Sequence, residues 1–297
     1  MSYTPEAAAR LRAYVAYFRD LGVHEFYRWS EPAPQTQHAS AVIEQPVPPA
    51  PVPTPVPVTA VTAPEIDDRE PQPAQMLPPE LREPPIPKLY SFDELVPLPT
   101  TTVPAADRPA AMKLIQDEIG DCTRCPLAYG GRRKIVFADG DPNATLMFVG
   151  EGPGADEDAQ GLPFVGKAGQ LLNNMITAMG IKREQVYIAN IVKCRPPANR
   201  TPEYVEATTC SQFLIKQIDV VQPKVIVALG STAATYLLGR KQALAGLRGT
   251  WHSARGAKVA VTYHPAFLLR DPRMKGEAWK DLQMVMRELG LKPPAKQ

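Results

Sequence analysis

Residues 145–154 read TLMFVGEGPG, an apolar run that ends in a glycine-rich turn. A continuous apolar run of this kind predicts a strand that is buried on both faces. Three glycines and a proline within residues 150–154 predict a tight turn where backbone can approach a ligand closely. The turn has neither the Lys-Ser/Thr of a P-loop nor the spacing of a dinucleotide-binding fingerprint, so it does not favour a nucleotide cofactor.

Three more apolar runs follow along the chain: VYIANIV (186–192), KVIVALG (224–230) and KVAVTYH (258–264). Helical patterns surround them: AAMKLIQDEI before Gly120, GQLLNNMITAM, the stretch from Pro202 to about Val221, STAATYLL, and Glu277–Leu289. This alternation predicts an α/β fold, a three-layer α/β/α sandwich around a four-stranded parallel sheet. In such sheets a site lies beyond the carboxyl ends of the strands.

The N-terminal part of the chain has a different composition. Residues 31–88 hold seventeen of the 34 prolines, which oppose helix formation and bury little, so we expect a disordered tether over 31–107. Residues 1–30 predict a short helix, which either docks on the folded domain or binds an unknown protein partner. The folded domain is expected over 108–292. A protein that begins near residue 105 should therefore fold and be about as active as the full-length chain.

Charge and hydropathy restrict the kind of partner. Residues 1–109 carry 8 Lys and Arg against 14 Asp and Glu, whereas residues 110–297 carry 25 against 17. A basic C-terminal region suits a polyanion such as nucleic acid, although ordinary surface charge would give the same count. The sequence contains neither an apolar run of about 18 residues nor the apolar core of a secretory signal at its start. We expect a cytoplasmic monomer without membrane contact.

The chain has four cysteines: Cys122, Cys125, Cys194 and Cys210. In a reducing compartment two disulfides are not expected. Four thiols that include one C-x-x-C pair predict a single metal or cluster site. The spacing leaves zinc and an iron–sulfur cluster both open, because four thiolates bind either.

Two polar side chains stand at predicted strand ends. Asn190 lies inside an apolar strand, where its amide either pairs with backbone or presents a donor and an acceptor to a nucleic-acid base. His264 ends the fourth run and precedes Pro265 and an apolar loop that finishes at Arg270. An apolar loop with an arginine at its tip is typical of a wedge that inserts into DNA.

Together these blocks resemble the family-4 uracil-DNA glycosylases, bacterial and archaeal repair enzymes that carry a [4Fe–4S] cluster. The resemblance covers about residues 108–290, in the family's order: GEGPG-x-x-x-D, G-x-P-F-V-G-K-A-G-Q-L-L, N-I-V-K-C-R-P-P-x-N-R-T-P and T-Y-H-P-A-x-L-L-R. It implies an enzyme that flips uracil out of single- or double-stranded DNA, hydrolyses the N-glycosidic bond and leaves an abasic site. It also implies that the four cysteines bind one [4Fe–4S] cluster, with no divalent metal or diffusible cofactor.

The resemblance assigns roles to individual residues. Phe164 would stack on uracil, Asn190 would read its edge, and His264 would stabilise charge on O2. Well-known relatives place an aspartate where Gly152 stands, so either the Gly152 backbone or Glu151 must position the attacking water. Further contacts are implied for a larger set: Gly152 and Pro153 with uracil, Glu157 with the 5-methyl of thymine, and Lys193, Arg195, Arg200, Leu268, Leu269 and Arg270 with DNA.

Two other functions fit parts of the pattern. A relative of this family captures uracil in DNA covalently through a histidine on a basic inserted loop. The segment KCRPPANRTP, residues 193–202, has neither that histidine nor an insertion, which argues against a non-catalytic or covalent binding protein. A zinc-stapled nucleic-acid module is the second alternative, and its colourless metal site would distinguish it from a brown iron–sulfur protein.

Overall fold

The computed structural model describes residues 88–292. A six-stranded sheet forms its centre, in the spatial order β1-β3-β2-β4-β6-β5. Its strands are β1 (Asp139–Gly140), β2 (Leu146–Gly150), β3 (Tyr187–Asn190), β4 (Val225–Leu229), β5 (His252–Ala254) and β6 (Ala257–Thr262). The helix expected over residues 1–30 and the tether expected up to residue 87 lie outside the described residues.

The four central strands, β3, β2, β4 and β6, are parallel. They correspond to the four apolar runs of the sequence, and the parallel sheet is confirmed. At each edge a short strand pairs antiparallel, β1 with β3 and β5 with β6. These two strands have only two and three residues, too few to leave a recognisable hydrophobic pattern.

Nine α-helices lie within residues 88–292, and none of them is long and apolar enough to cross a membrane. They are α1 (Phe92–Leu95), α2 (Arg108–Ile119), α3 (Ala155–Gln160), α4 (Lys167–Ala178), α5 (Tyr204–Val221), α6 (Ser231–Leu238), α7 (Leu244–Leu247), α8 (Pro265–Arg270) and α9 (Lys275–Leu289). The five helices expected from sequence correspond to α2, α4, α5, α6 and α9. The apolar loop expected after His264 is instead the short helix α8.

Side chains alternate across the sheet and build a core on each face. In β2, Met147 and Val149 join the core that includes α2, α5 and α6. Leu146 and Phe148 join the other core, against α4 and α9. A strand that is apolar on both faces must be covered on both sides, which gives the three-layer sandwich that the sequence predicts.

Residues 88–107 correct the expected boundary of the tether. Phe92 of α1 has no exposed surface and lies in the core. Ser91 forms a capping box with Glu94 and a β-bridge with Leu238 at the end of α6. We call residues 88–107 the strap. Arg255, in the turn between β5 and β6, donates hydrogen bonds to the carbonyl oxygens of three strap residues: Phe92, Val96 and Pro97. This strap therefore belongs to the folded domain.

Candidate active site

A pocket of about 680 Å³ opens beyond the carboxyl ends of the parallel strands. Its walls come from the turn after β2, the segment between α3 and α4, the loop after β3, the start of α6, and α8. This is the edge of the sheet at which ligands of open α/β proteins bind. The structure brings most of the expected site residues to its surface: Glu151, Gly152, Pro153, Glu157, Phe164, Asn190, Arg200, His264 and Arg270.

Asn190 presents a buried amide to this pocket. Its residue is 2% exposed, and its Oδ1 has no hydrogen-bond partner within residues 88–292. A Cβ atom on Gly150 would lie 2.4 Å from this oxygen and 2.6 Å from Cζ of Phe164. The missing side chain at residue 150 therefore leaves a narrow space between an unpaired acceptor and an aromatic ring. An unpaired buried acceptor is costly unless a ligand donates to it.

His264 faces the same space, with its ring centroid 5.6 Å from that of Phe164. The backbone N–H of Ala266 donates to Nδ1 of His264 at 3.1 Å, so the neutral ring carries its proton on Nε2. Burial lowers the pKa of His264 to about 4; the positive charge of Arg270 adds to this shift and Glu157 opposes it. At neutral pH the ring is an uncharged hydrogen-bond donor.

Glu157 is a fixed carboxylate in the pocket wall. Its Oε2 accepts from the backbone N–H of Gly154 at 3.1 Å. Its Oε1 accepts from the N–H groups of Val165 and Gly166 at 2.9 and 3.0 Å. These three bonds join the turn before α3 to the turn before α4, so the side chain cannot move without disturbing both.

Glu151 is held from the opposite wall. The hydroxyl of Thr232, in the first turn of α6, donates to Oε2 of Glu151 at 2.5 Å. Oε1 of the same carboxylate has no hydrogen bond to any described residue. At Gly152 a Cβ atom would lie 2.7 Å from Cγ2 of Val192, so a larger residue would require Val192 to move. Glu151 is thus the carboxylate that can reach the part of the pocket beside Gly152.

Among the expected DNA contacts, Leu269 and Arg270 at the end of α8 are exposed. Arg195 is half-buried, and its Nε donates to Oδ1 of Asn199. Both terminal nitrogens of Arg200 donate to the carboxylate of Glu206, at 2.7 and 2.8 Å. The charge of Arg200 is therefore already paired, which weakens the case for a phosphate contact there.

Two expected DNA contacts are corrected by burial. Leu268 is 1% exposed and packs inward, because α8 turns it away from the surface that carries Leu269. Lys193 is also 1% exposed. Its Nζ donates to the carbonyl oxygen of Asn190 at 3.0 Å and to Oε1 of Gln217 at 2.6 Å. Lys193 thus stabilises the end of β3 from inside and cannot touch a phosphate.

The four cysteines line one smaller pocket between α2, the end of β3 and α5. Three of the four sulfurs accept a hydrogen bond from an N–H group of the described residues. Arg124 donates to Cys122, Arg132 to Cys194, and the backbone N–H of Lys193 to Cys210.

Two of these donors belong to the cationic side chains of Arg124 and Arg132, and the cationic Lys193 lines the same pocket. Such surroundings suit a group of thiolates that carries net negative charge. Burial raises the pKa of the Cys210 thiol to about 12, so this thiolate needs a bound cation. Four thiols at one pocket, with N–H donors and cationic side chains around them, fit a thiolate-bound metal site. The chemistry of four thiolates suits an iron–sulfur cluster and also zinc.

Two residues that hold parts of the site have no obvious signal in the sequence: Thr232 and Arg183. Thr232 reaches Glu151 from a position 81 residues away in sequence, and Arg183 contacts the backbone of Phe164 from 19 residues away. Only the fold brings such pairs together, so spacing along the chain could not reveal them.

The comparisons with known proteins agree with this geometry. Residues 137–283 match the Uracil DNA glycosylase superfamily. The chain is 45% identical to the type-4 uracil-DNA glycosylase of Thermotoga maritima over 168 residues, which are 55% of this chain and 86% of that protein. It is 42% identical to the type-4 enzyme of Pyrobaculum aerophilum over 58% of this chain and 92% of that protein. The type-5 uracil-DNA glycosylase of the same organism is 33% identical, over 49% and 78%.

A pocket with polar side chains at the carboxyl edge of a parallel sheet, combined with this superfamily match, defines a DNA base-excision protein of the uracil-DNA glycosylase class. The identity to these two type-4 relatives extends over 86% and 92% of their length. The chain belongs to the type-4 uracil-DNA glycosylases.

Proposed function

We propose that this pocket receives a uracil flipped out of DNA and that the protein hydrolyses its N-glycosidic bond, which releases uracil and leaves an abasic site. The observation that carries the proposal is the unpaired Oδ1 of Asn190, buried beside the ring of Phe164. Uracil supplies both what this oxygen lacks, the N3–H donor, and a flat face for the ring.

Base selection follows from the same amide. Oδ1 of Asn190 would accept from N3–H of uracil while its NH₂ group donates to O4. Cytosine has an acceptor at N3 and a donor at C4, so both contacts would be lost and buried groups would stay unpaired. Phe164 is the proposed stacking surface, and the backbone of Gly152 and Pro153 lines the same subsite.

The bond-breaking step places negative charge on uracil. As the C1′–N1 bond breaks, its electron pair remains on the base and the sugar becomes an oxocarbenium ion. The Nε2–H of neutral His264 would donate to uracil O2, where that charge grows. Such a donor typically lowers the barrier by about 3–4 kcal/mol. A water oxygen then bonds to C1′, and the proton it loses balances the charge of the released base.

Glu151 is the proposed holder of that water. Thr232 fixes one of its carboxylate oxygens and leaves the other for a water molecule at the sugar. The backbone of Gly152, the alternative left open by the sequence, lines the pocket beside it. Glu157 is the proposed barrier to thymine, since a carboxylate held by three backbone amides cannot yield to an added methyl group.

DNA outside the pocket would meet the end of α8. Leu269 and Arg270 are exposed there, and Arg270 lines the pocket; both side chains would fill the gap left by the flipped nucleotide. Arg195 is the remaining candidate for a phosphate contact.

The four cysteines are the proposed ligands of one [4Fe–4S] cluster. When bound, the cluster would supply a cross-link between the segment after α2, the end of β3, and α5. The proposal is supported by the four cysteines that line one pocket and by the N–H donors to the sulfurs of Cys122, Cys194 and Cys210. Metal and sulfide analysis of the brown protein should find iron and inorganic sulfide; a colourless protein with stoichiometric zinc would contradict it.

A single-turnover assay on oligonucleotide duplexes tests the function. The protein should produce alkali-labile breaks in U:G duplexes and none in C:G duplexes. Asn190→Asp should lower the uracil rate, because an ionised carboxylate cannot donate to O4, while the exposed Asn143→Asp should not. Covalent capture of the DNA without release of free uracil would instead identify a binding protein, and equal cleavage by Asn190→Asp would show that other groups read the base.

A further inference from the structure

Phe164, the proposed stacking surface, has an unusual backbone. Its φ angle is +53°, in the left-handed region that bulky side chains rarely enter. A non-glycine residue held there typically costs about 1–3 kcal/mol, and neighbouring structure must compensate. Phe164 is buried, and its ring borders both Gly150 and His264. The orientation of the ring in the pocket therefore depends on what holds this backbone.

Arg183 binds the backbone on both sides of Phe164. Nη2 of Arg183 donates to the carbonyl oxygen of Pro163 at 2.6 Å, and Nη1 donates to the carbonyl oxygen of Phe164 at 3.2 Å. These two carbonyl groups belong to the peptide planes before and after Phe164. Because φ and ψ of a residue are the rotations between those two planes, one planar guanidinium that binds both carbonyls fixes both angles.

The guanidinium is itself fixed from other directions. Its Nε donates to Oδ2 of Asp139 in β1 at 2.8 Å, and its Nη1 also donates to Oδ1 of Asn173 in α4 at 2.8 Å. Gly169 of α4 packs so closely that a Cβ atom there would lie 1.9 Å from the carbonyl oxygen of Phe164. Arg183 is thus fixed by β1 and α4 while it binds the backbone of Pro163 and Phe164.

We infer that Arg183 is a positioning residue that holds Phe164 in the conformation needed to stack on uracil, although Arg183 itself does not line the pocket. This rests on the proposed function. Lysine has one donor group in place of a planar fork and cannot bind both carbonyls in the same way. Loss of the fork lets Phe164 relax from the left-handed region, and the ring leaves its place beside Asn190.

A double-mutant cycle separates this role from general stabilisation. Single-turnover cleavage of a U:G duplex is measured for the wild type, Arg183→Gln, Phe164→Ala and the double variant, well below each unfolding temperature. Arg183→Gln should slow cleavage about tenfold, the effect of releasing a strained backbone. In the Phe164→Ala background it should have almost no further effect, since no ring remains to be placed. Arg183→Lys should lower the cleavage rate less than Arg183→Gln does, and again only when Phe164 is present. It replaces Arg183→Gln in the cycle if that variant folds poorly.

Arg255→Gln is the matched control. Arg255 also binds a carboxylate and several backbone carbonyls, but on the side of the domain away from the pocket. It should lower the unfolding temperature and leave the cleavage rate of folded protein unchanged. Wild-type cleavage by Arg183→Gln, or an equal loss in both Phe164 backgrounds, would overturn the inference. Absence of cleavage by the wild type would instead overturn the proposed function.

Discussion

At the scale of single residues, the proposed reaction depends on a neutral His264. Its pKa is lowered from 6.5 to about 4 because burial and the charge of Arg270 oppose protonation. Between these two pH values the unfolded chain binds a proton at this position and the folded chain does not. Stability linked to His264 is therefore fully present above pH 6.5 and is lost progressively as the pH falls toward 4.

His264→Gln should flatten this dependence, because glutamine does not titrate. Urea denaturation at several pH values gives the free energy of unfolding for both proteins. The wild type should lose stability more steeply than the variant between pH 6.5 and 4. Parallel curves would mean that the ring takes up its proton in the folded state as readily as in the unfolded state.

Thr232 offers a second test at this scale, since its hydroxyl holds Glu151. Thr232→Val keeps the shape of the side chain and removes the donor. A hydrogen bond to a charged group is worth about 1.5–3 kcal/mol, so the single-turnover rate should fall at least about tenfold. Affinity for DNA, which depends mainly on phosphate contacts, should barely change. Thr250→Val, which loses a hydroxyl bonded to the Leu247 carbonyl oxygen, is the control and should cleave normally.

At the scale of elements, the end of β3 joins two sites. Asn190 lies in the base pocket, and Cys194, four residues later, lies in the sulfur-lined pocket. Lys193 between them donates through its side chain to the carbonyl of Asn190 and through its backbone to Cys210. We therefore expect a disturbance at the cysteines to reach Asn190, the residue proposed to read the base.

Cys194→Ala should consequently bleach the protein and also reduce cleavage of uracil. The visible absorbance, iron content and single-turnover rate of purified variant and wild type measure both effects. Ser211→Ala removes a buried hydroxyl next to Cys210 on α5 without touching a sulfur, and it should keep colour and activity. A Cys194→Ala protein with full iron and sulfide would remove this residue from the ligand set.

At the scale of the whole molecule, the strap of residues 88–107 is part of the folded domain. A protein that begins at residue 105 lacks Phe92, and Arg255 loses its carbonyl partners in the strap. Removal of a buried phenylalanine side chain alone typically costs about 3–5 kcal/mol. We therefore expect this shortened protein to be less stable than the full-length chain, while the expectation that it folds and stays active remains a prediction.

Two shortened proteins test this revision. One that begins at residue 105 should unfold at a clearly lower urea concentration than one that begins at residue 88, which keeps the whole strap. The latter should match the full-length chain in stability if residues 1–87 add little to the fold. Equal midpoints for the two shortened proteins would show that the strap contributes nothing.

Sequence predicted the parts of the molecule whose pattern repeats locally. Continuous or periodic apolar residues predict the four parallel strands and the five longer helices. Lys193 and Leu268 were misjudged because their burial depends on partners elsewhere in the fold, such as Gln217. Phe92 was missed because it follows a proline-rich stretch, although a single aromatic side chain is enough to anchor a short strap. Contacts of this kind depend on tertiary structure and leave no local periodicity.

The close approach at Gly150 has an evolutionary consequence. The space between Asn190 and Phe164 exists because residue 150 has no side chain, and even one added carbon would overlap both neighbours. Every codon change that replaces this glycine therefore narrows the opening by at least a methyl group. Most positions of a protein can change through substitutions that are tolerated, but position 150 has no tolerated substitution. Across descendants of this gene that keep the activity, position 150 should be unable to vary.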